Sequence, residues 1–214
     1  ELIYQKQHIT IENEQLKNEN LQTRYYMLAN QISPHFLFNS LNSLSMLVRE
    51  KSNDKALLYI DRLADTFRYM LQSGQGELTT LSEELRFTEA YLYLLTIRYE
   101  NKLFCDIRIE DRYRDWKLPV LSLQPLIENA VKHNSISRTK PLRIAIRTDD
   151  GTLVVSNPLI PKIDETTGTG IGLKNLSSRY LLLTSQQVRI IRTDDAFEVI
   201  LPLIESPNPI KSLS

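Results

Sequence analysis

Hydrophobic and polar positions change their period along the chain, and the changes divide it. In residues 1–30, Leu2, Ile9 and Leu16 recur every seven residues, and Leu21 and Leu28 do so again after a shift of phase. Set among Asn, Gln, Glu and Lys, this spacing predicts a short parallel coiled coil. From Gln31 to about Arg49 the pattern becomes two-faced. At about 100° per residue, Leu37, Leu41, Leu44 and Val48 share a narrow arc, with His35, Asn39 and Asn42 opposite. The arc predicts a helix with a core stripe and a histidine turned away from it. After a turn at "KSND", with Asn53 or Asp54 as cap, Leu57, Ile60, Ala64, Phe67 and Leu71 repeat at alternating steps of three and four, which predicts a second helix with a bundle seam. A hairpin of this size has too little core of its own, so residues 31–76 are expected to pair with a second copy as a four-helix bundle.

Gly74 and Gly76 mark a linker, and Thr80 with Glu83 forms a capping-box pattern that opens a helix to about Tyr99. Beyond it the period drops to two. "FCDIRIE" alternates as a strand, "PVLSLQPLIENAVKHN" is helical, "LRIAIRT" and "TLVVSN" are strands, and "GIGLKNLSSRYLLL" returns to helix. "QVRIIRT" and "AFEVILPLI" close the unit as strands. Mixed helices and hairpin-like strands predict an α+β sandwich over residues 77–206, one sheet under a layer of helices, followed by a loose tail at 207–214.

Composition narrows the partners. Lys plus Arg and Asp plus Glu stand at 26 each, so no overall field attracts nucleic acid or an anionic membrane. The single cysteine, Cys105, excludes an internal disulfide framework and a cysteine metal cluster, which suits a reducing, cytosolic setting. No run of about 18 apolar residues or signal peptide is visible, so the chain is expected to be soluble as given. Because Glu1 begins inside a helical pattern without a start signal, the pattern leaves room for a membrane segment upstream.

Candidate chemistry concentrates in two places. In "LIENAVKHN", Asn129, Lys132 and His133 stand at i, i+3 and i+4 of a helix. A carboxamide oxygen is a hard neutral ligand for Mg²⁺, and a lysine beside it neutralises phosphate. Taken alone, Asn and Lys on a helix face are usually just solvated. Further on, "TGTGIGLKN" sets Gly168, Gly170 and Gly172 before a helix, where backbone N–H groups approach phosphate closely. A glycine cluster is equally the ordinary sign of a flexible loop. No Gly-Lys-Ser/Thr follows and no βαβ unit frames it, which excludes a P-loop and a dinucleotide fingerprint.

In this order, "QISPHFLFNSLNSL", "LQPLIENAVKHN" and "GTGIGLKNLSSRYLLL" closely resemble the sensor histidine kinases of the LytS/YesM type, over about residues 25–204. The resemblance implies a dimerisation and phosphotransfer hairpin with His35 as phosphoacceptor, followed by a Bergerat-type (GHKL) ATP-binding domain. "ENAVKHN" is then the N box, with Asn129 on Mg²⁺ and Lys132 and His133 near the nucleotide, and "GTGIGL" is the G2 box beside the ATP lid. It further implies ATP and Mg²⁺ as cofactors, a homodimer, and transfer to the receiver domain of a response regulator of LytTR type. The chain would then be the cytoplasmic part of an inner-membrane bacterial sensor, without direct contact to nucleic acid. Asn39, four residues after His35, matches the spacing at which a polar residue supports dephosphorylation of the regulator.

The resemblance explains the histidine in physical terms. Phosphoryl transfer needs a nucleophile with a free lone pair at neutral pH, and imidazole, with an ordinary pKa of roughly 6.5, supplies one. It must also be reachable, which an outward-facing position provides. Pro34 lacks an N–H and crowds the preceding turn, so it is expected to kink the helix beside His35. Two departures from the wider histidine kinase pattern stand out. Phe36 follows the phosphoacceptor where many such kinases carry an acidic residue, which leaves Glu128 as the candidate base. The G1 box is normally Asp-x-Gly, with its aspartate on the adenine amino group, but "VSNPLIPK" puts Asn157 at that place with no glycine after it. That change motivates a rival reading, a pseudokinase acting as a dimeric scaffold.

Overall fold

In a computed structural model, residues 34–72, 78–100, 102–160 and 171–206 are described. The predicted coiled coil, the kink expected on the N-terminal side of Pro34, the linker glycines, Gly168, Gly170 and the tail fall outside them. Helix α1 (Pro34–Arg49) has Pro34 as its first described residue. A turn with Lys51 at a left-handed φ of 56° leads into α2 (Asn53–Gln72). The hairpin is thus present, but its inner face is not the one the leucine spacing predicts. Phe36, Ser40, Ser43 and Leu47 of α1, with Ala56, Tyr59, Thr66 and Met70 of α2, are the buried residues. The expected stripe lies one position along, and Leu41, Val48, Leu57 and Ile60 remain about half exposed.

Hydroxyl groups hid this inner face from the hydrophobic pattern. Ser40 Oγ donates to the Phe36 carbonyl at 2.9 Å, and the Ser40 and Ser43 hydroxyls beside Tyr59 offset part of the upward push that burial gives its phenol. Small residues on α1 let aromatic rings fill the space instead. Phe36 packs on Phe67 at 6.0 Å and on Tyr91 at 5.3 Å, and Tyr69 stacks on Phe87 at 4.6 Å. Tyr91 and Phe87 belong to the next helix, so the hairpin shares a core with the C-terminal unit.

That helix, α3 (Leu81–Tyr99), begins as the capping box predicts. Glu83 N–H donates to Thr80 Oγ1 at 3.2 Å, and the Glu83 carboxylate takes a bond from Thr79 Oγ1 at 2.8 Å. Donation by Thr79, joined by the Thr80 backbone N–H, holds the Glu83 carboxyl below its ordinary range. Glu100, at a left-handed φ of 47°, ends the helix.

Five strands form the main sheet: β2 (Leu103–Arg108), β4 (Leu142–Asp149), β5 (Thr152–Pro158), β6 (Arg189–Arg192) and β7 (Ala196–Pro202). Their order is β2-β4-β5-β7-β6, with β2 parallel to β4 and every other pair antiparallel. Leu142, Ile144, Ile146, Leu153, Val155 and Leu201 are buried on one face. The opposite face carries the Arg147–Glu198 ion pair at 3.3 Å and Arg143 over the Phe104 ring at 4.7 Å. Alternation along each strand therefore gives one sheet under one layer of helices, the α+β class expected. Cys105, half-buried in β2, has its thiol pushed up to about 12 by burial, as befits a packing residue.

The segment "PVLSLQPLIENAVKHN" is not helical throughout. Residues Leu78–Thr80 (β1) and Lys117–Pro119 (β3) pair as a small antiparallel ribbon, and helix α4 runs only from Gln124 to His133. Leu121 sits at a left-handed φ of 54°, which no helix accommodates, and Pro125 fits the first turn beyond it. Helix α5 (Ile171–Thr184) completes the layer.

Candidate functional site

Helix α4 carries most of the candidate residues, and its periodicity sorts them. Leu126, Ile127 and Ala130 are buried and hold the helix on the core. Glu128, Val131 and Lys132 lie on the side that meets the hairpin. There they line a cleft of about 470 Å³ together with His35, Phe36, Tyr91, Leu95, Arg98 and Tyr99. The packing of Phe36 on Tyr91 sets this geometry, because it seats the start of α1 against α3 and so brings the exposed His35 to the edge of α4. Three candidates from distant parts of the sequence, His35, Glu128 and Lys132, thus share one wall.

Within the cleft Glu128 is oriented by its neighbours. Its Oε1 accepts the Tyr91 hydroxyl at 3.0 Å and Gln124 Nε2 at 2.8 Å. Burial, then the Glu128 charge, push the Tyr91 phenol well above its ordinary value, so it stays a donor at neutral pH. Among the described residues no hydrogen bond reaches Oε2, which leaves that oxygen able to accept a proton. Asn39 is half-buried one turn along from His35, and its Nδ2 is buried without a hydrogen-bond partner among the described residues.

Asn129 and His133 are turned by about 100° from the wall formed by Glu128 and Lys132, and neither lines the cleft. The C-terminal end of α4 is tied to the segment after β5. Asn134, buried, donates Nδ2 to the Ala130 carbonyl at 2.8 Å and accepts the Ile160 N–H on Oδ1 at 2.6 Å. Ser135 N–H adds a bond to the Ile160 carbonyl at 2.7 Å. Asn157, near the end of β5, is buried as well, and its Nδ2 donates to the Pro158 carbonyl at 2.8 Å, which turns Oδ1 outward from that bond. Gly172 lies in the first turn of α5, where an added Cβ would meet nothing within 4 Å.

Sequence reasoning missed Tyr91 and Asn134. Tyr91 reads as one more apolar position of an amphipathic helix, with nothing local to mark its hydroxyl. Asn134 does carry a signal, a carboxamide one residue past a helix end, where such groups take up orphan backbone partners.

A histidine kinase family profile matches residues 23–103, which span His35, the hairpin and α3. The sensor histidine kinase/phosphatase LytS of Staphylococcus aureus strains Mu50 and N315 is 35% identical over 166 residues, covering 70% of this chain. The chain spans about 28% of the length of those curated relatives. Among solved structures, the cytoplasmic segment of the histidine kinase QseC matches 61% of the chain and 78% of its own at 14% identity and a TM-score of 0.44. The Acinetobacter baumannii histidine kinase AdeS matches 87% and 98% at 11% identity and a TM-score of 0.41. This chain belongs to the histidine kinase family, of the LytS type.

Proposed function

We propose that the chain transfers the γ-phosphoryl group of ATP to His35 and then to an aspartate of a response-regulator receiver domain, as a homodimer. The observation that carries this reading is the cleft in which His35 meets Glu128 and Lys132 on the helix of the N box. In the transfer, a ring nitrogen of His35 attacks phosphorus, an N–P bond forms, and the bond to the β-phosphate oxygen breaks with its electron pair leaving on ADP. The ring proton passes to Glu128 Oε2, which the Tyr91 and Gln124 bonds to Oε1 hold in place. Lys132 offsets phosphate charge from the same wall.

Asn129 fits a magnesium ion that arrives with the nucleotide. Among the described residues no group of three or more His, Cys, Asp or Glu is placed to hold a metal. The neutral carboxamide oxygen of Asn129 would hold Mg²⁺, and the ion would neutralise charge on the departing phosphate. His133, on the same flank as Asn129, serves the nucleotide side of α4. Asn157 accepts from the adenine amino group through Oδ1, and Gly168, Gly170 and Gly172 admit phosphate close to the backbone at the start of α5. Asn39, four residues after His35 on α1, is assigned to the phosphatase half of the cycle by that spacing.

No helix among the described residues is long and apolar enough to cross a membrane. A membrane sensor segment preceding this part, and a LytTR-type regulator as the acceptor, complete the proposal. The test is incubation of the chain with radiolabelled ATP and Mg²⁺, followed by acid and alkali. We expect label that is acid-labile and base-stable, and its loss in His35→Gln with ATP binding intact. Label retained at the wild-type level in His35→Gln sinks the assignment. ATP binding without any label favours the pseudokinase reading.

A further inference from the structure

Glu84 follows the capping residue Glu83 in the first turn of α3, yet it is fully buried. Its Oε1 accepts the Leu123 N–H at 3.0 Å, and its Oε2 accepts the Leu121 N–H and the Tyr69 hydroxyl, each at 2.9 Å. The Ser122 N–H also favours its charged form. These consecutive N–H groups lead straight into α4, whose N-cap Leu123 has no side-chain acceptor of its own. A carboxylate facing converging N–H groups at a helix start complements the positive end of the helix dipole. Leu121 is held there in the left-handed region, a conformation that a leucine keeps only where its surroundings enforce it. From the far side, Arg179 of α5 donates Nη2 to the Leu121 carbonyl at 2.9 Å, and its charge faces Glu84.

Burial is the largest influence on this carboxyl and raises its pKa, while the bonds from Leu123, Tyr69 and Leu121 favour the charged form. Such a group is costly to keep in a core for packing alone, since an apolar residue would fill the space without the desolvation. What it supplies is register. Tyr69 comes from the second helix of the hairpin, the Leu121–Leu123 turn from the approach to the N box, and Arg179 from the helix behind the glycine loop.

We propose that Glu84 is the positioning residue of the nucleotide site: it fixes the entry of the helix bearing Asn129 and Lys132, and through Tyr69 it ties that entry to the hairpin bearing His35. The inference rests on reading the chain as an ATP-dependent histidine kinase. The two sets of donors to the carboxyl then have separable effects. The Leu121 and Leu123 bonds set how well α4 is placed for ATP, and the Tyr69 bond sets where the hairpin lies against it.

The experiment measures ATP affinity by calorimetry with Mg²⁺, and the rate of His35 phosphorylation at saturating ATP, on the whole chain. Glu84→Gln keeps the shape but sets an NH₂ group against N–H donors. It is expected to weaken ATP binding about tenfold or more. Tyr69→Phe removes one hydroxyl and leaves the turn intact, so it is expected to keep ATP affinity and slow phosphorylation at saturation by about fivefold. A purely structural Glu84 would lower thermal stability in both variants without this split. Unchanged ATP affinity in folded Glu84→Gln, or an unchanged saturated rate in Tyr69→Phe, overturns the inference. Should Glu84→Gln fail to fold, the Tyr69→Phe rate decides alone. Wild-type chain that takes up no base-stable label overturns the kinase reading itself, whereas wild-type labelling with silent variants overturns only the role of Glu84.

Discussion

Asn157 shows how one atom changes an expectation. A carboxylate at this point would accept from an adenine amino group with charge assistance, and the neutral carboxamide accepts more weakly. The Nδ2 bond to the Pro158 carbonyl orients the group so that the acceptor end remains available. An Asn157→Asp substitution therefore gains charge but sets two acceptors against each other at Pro158, and ATP affinity is expected to stay within about threefold of wild type. Asn157→Ala loses the acceptor and should bind ATP roughly five- to tenfold more weakly. Calorimetry on the two variants checks both, and equal affinity in Asn157→Ala removes the residue from the site. Glu128 invites a kinetic comparison. With Oε1 held by Tyr91 and Gln124, Glu128→Gln preserves those contacts in shape and loses the proton acceptor. His35 phosphorylation should slow by roughly a hundredfold or more with ATP affinity unchanged. A rate within threefold of wild type would leave the ring proton to solvent.

At the scale of elements, local chemistry was legible where one segment contained both partners. The Thr80 cap and Glu83 are three residues apart, and the helix they open runs to Tyr99 as the pattern predicts. Thr80→Ala should cost about 1 kcal/mol, which for a domain of this size lowers Tm by roughly 2–4 °C, and Thr80→Asp should restore most of it. Scanning calorimetry reads the shift, and an unchanged Tm in the alanine variant would mean that the Thr79–Glu83 bond holds the turn unaided. The inner face of the hairpin was illegible for the opposite reason. Ser40, Ser43 and Thr66 are polar by type, and Ser40 and Thr66 become fit for a core by bonding the Phe36 and Arg62 carbonyls. The helix bearing Glu128 and Lys132 could be read from sequence, whereas the cleft it lines could not. It depends on Phe36 meeting Tyr91, and on Glu84 reaching Leu123 across 39 residues, and no local period encodes either contact.

For the whole molecule, the misread stripe becomes the informative surface. With Phe36 turned onto α2 and α3, Leu41 and Val48 of α1 and Leu57 and Ile60 of α2 are left about half exposed. Apolar side chains repeated along both helices of a hairpin are what a second copy would bury in a four-helix bundle. A two-fold interface counts each residue twice, so Leu41→Glu with Ile60→Glu removes four apolar side chains and sets like charges against each other. Each lost burial is worth about 1.5–3 kcal/mol, enough together to dissociate the pair at micromolar concentration. Deleting the hairpin is a poorer test, because it would also strip the cover from Phe87 and Tyr91 and create a new sticky surface. Light scattering should give twice the 24.9 kDa chain mass for wild type and the single mass for the double variant, with the circular dichroism of both alike. A double variant that stays dimeric moves the interface away from this face.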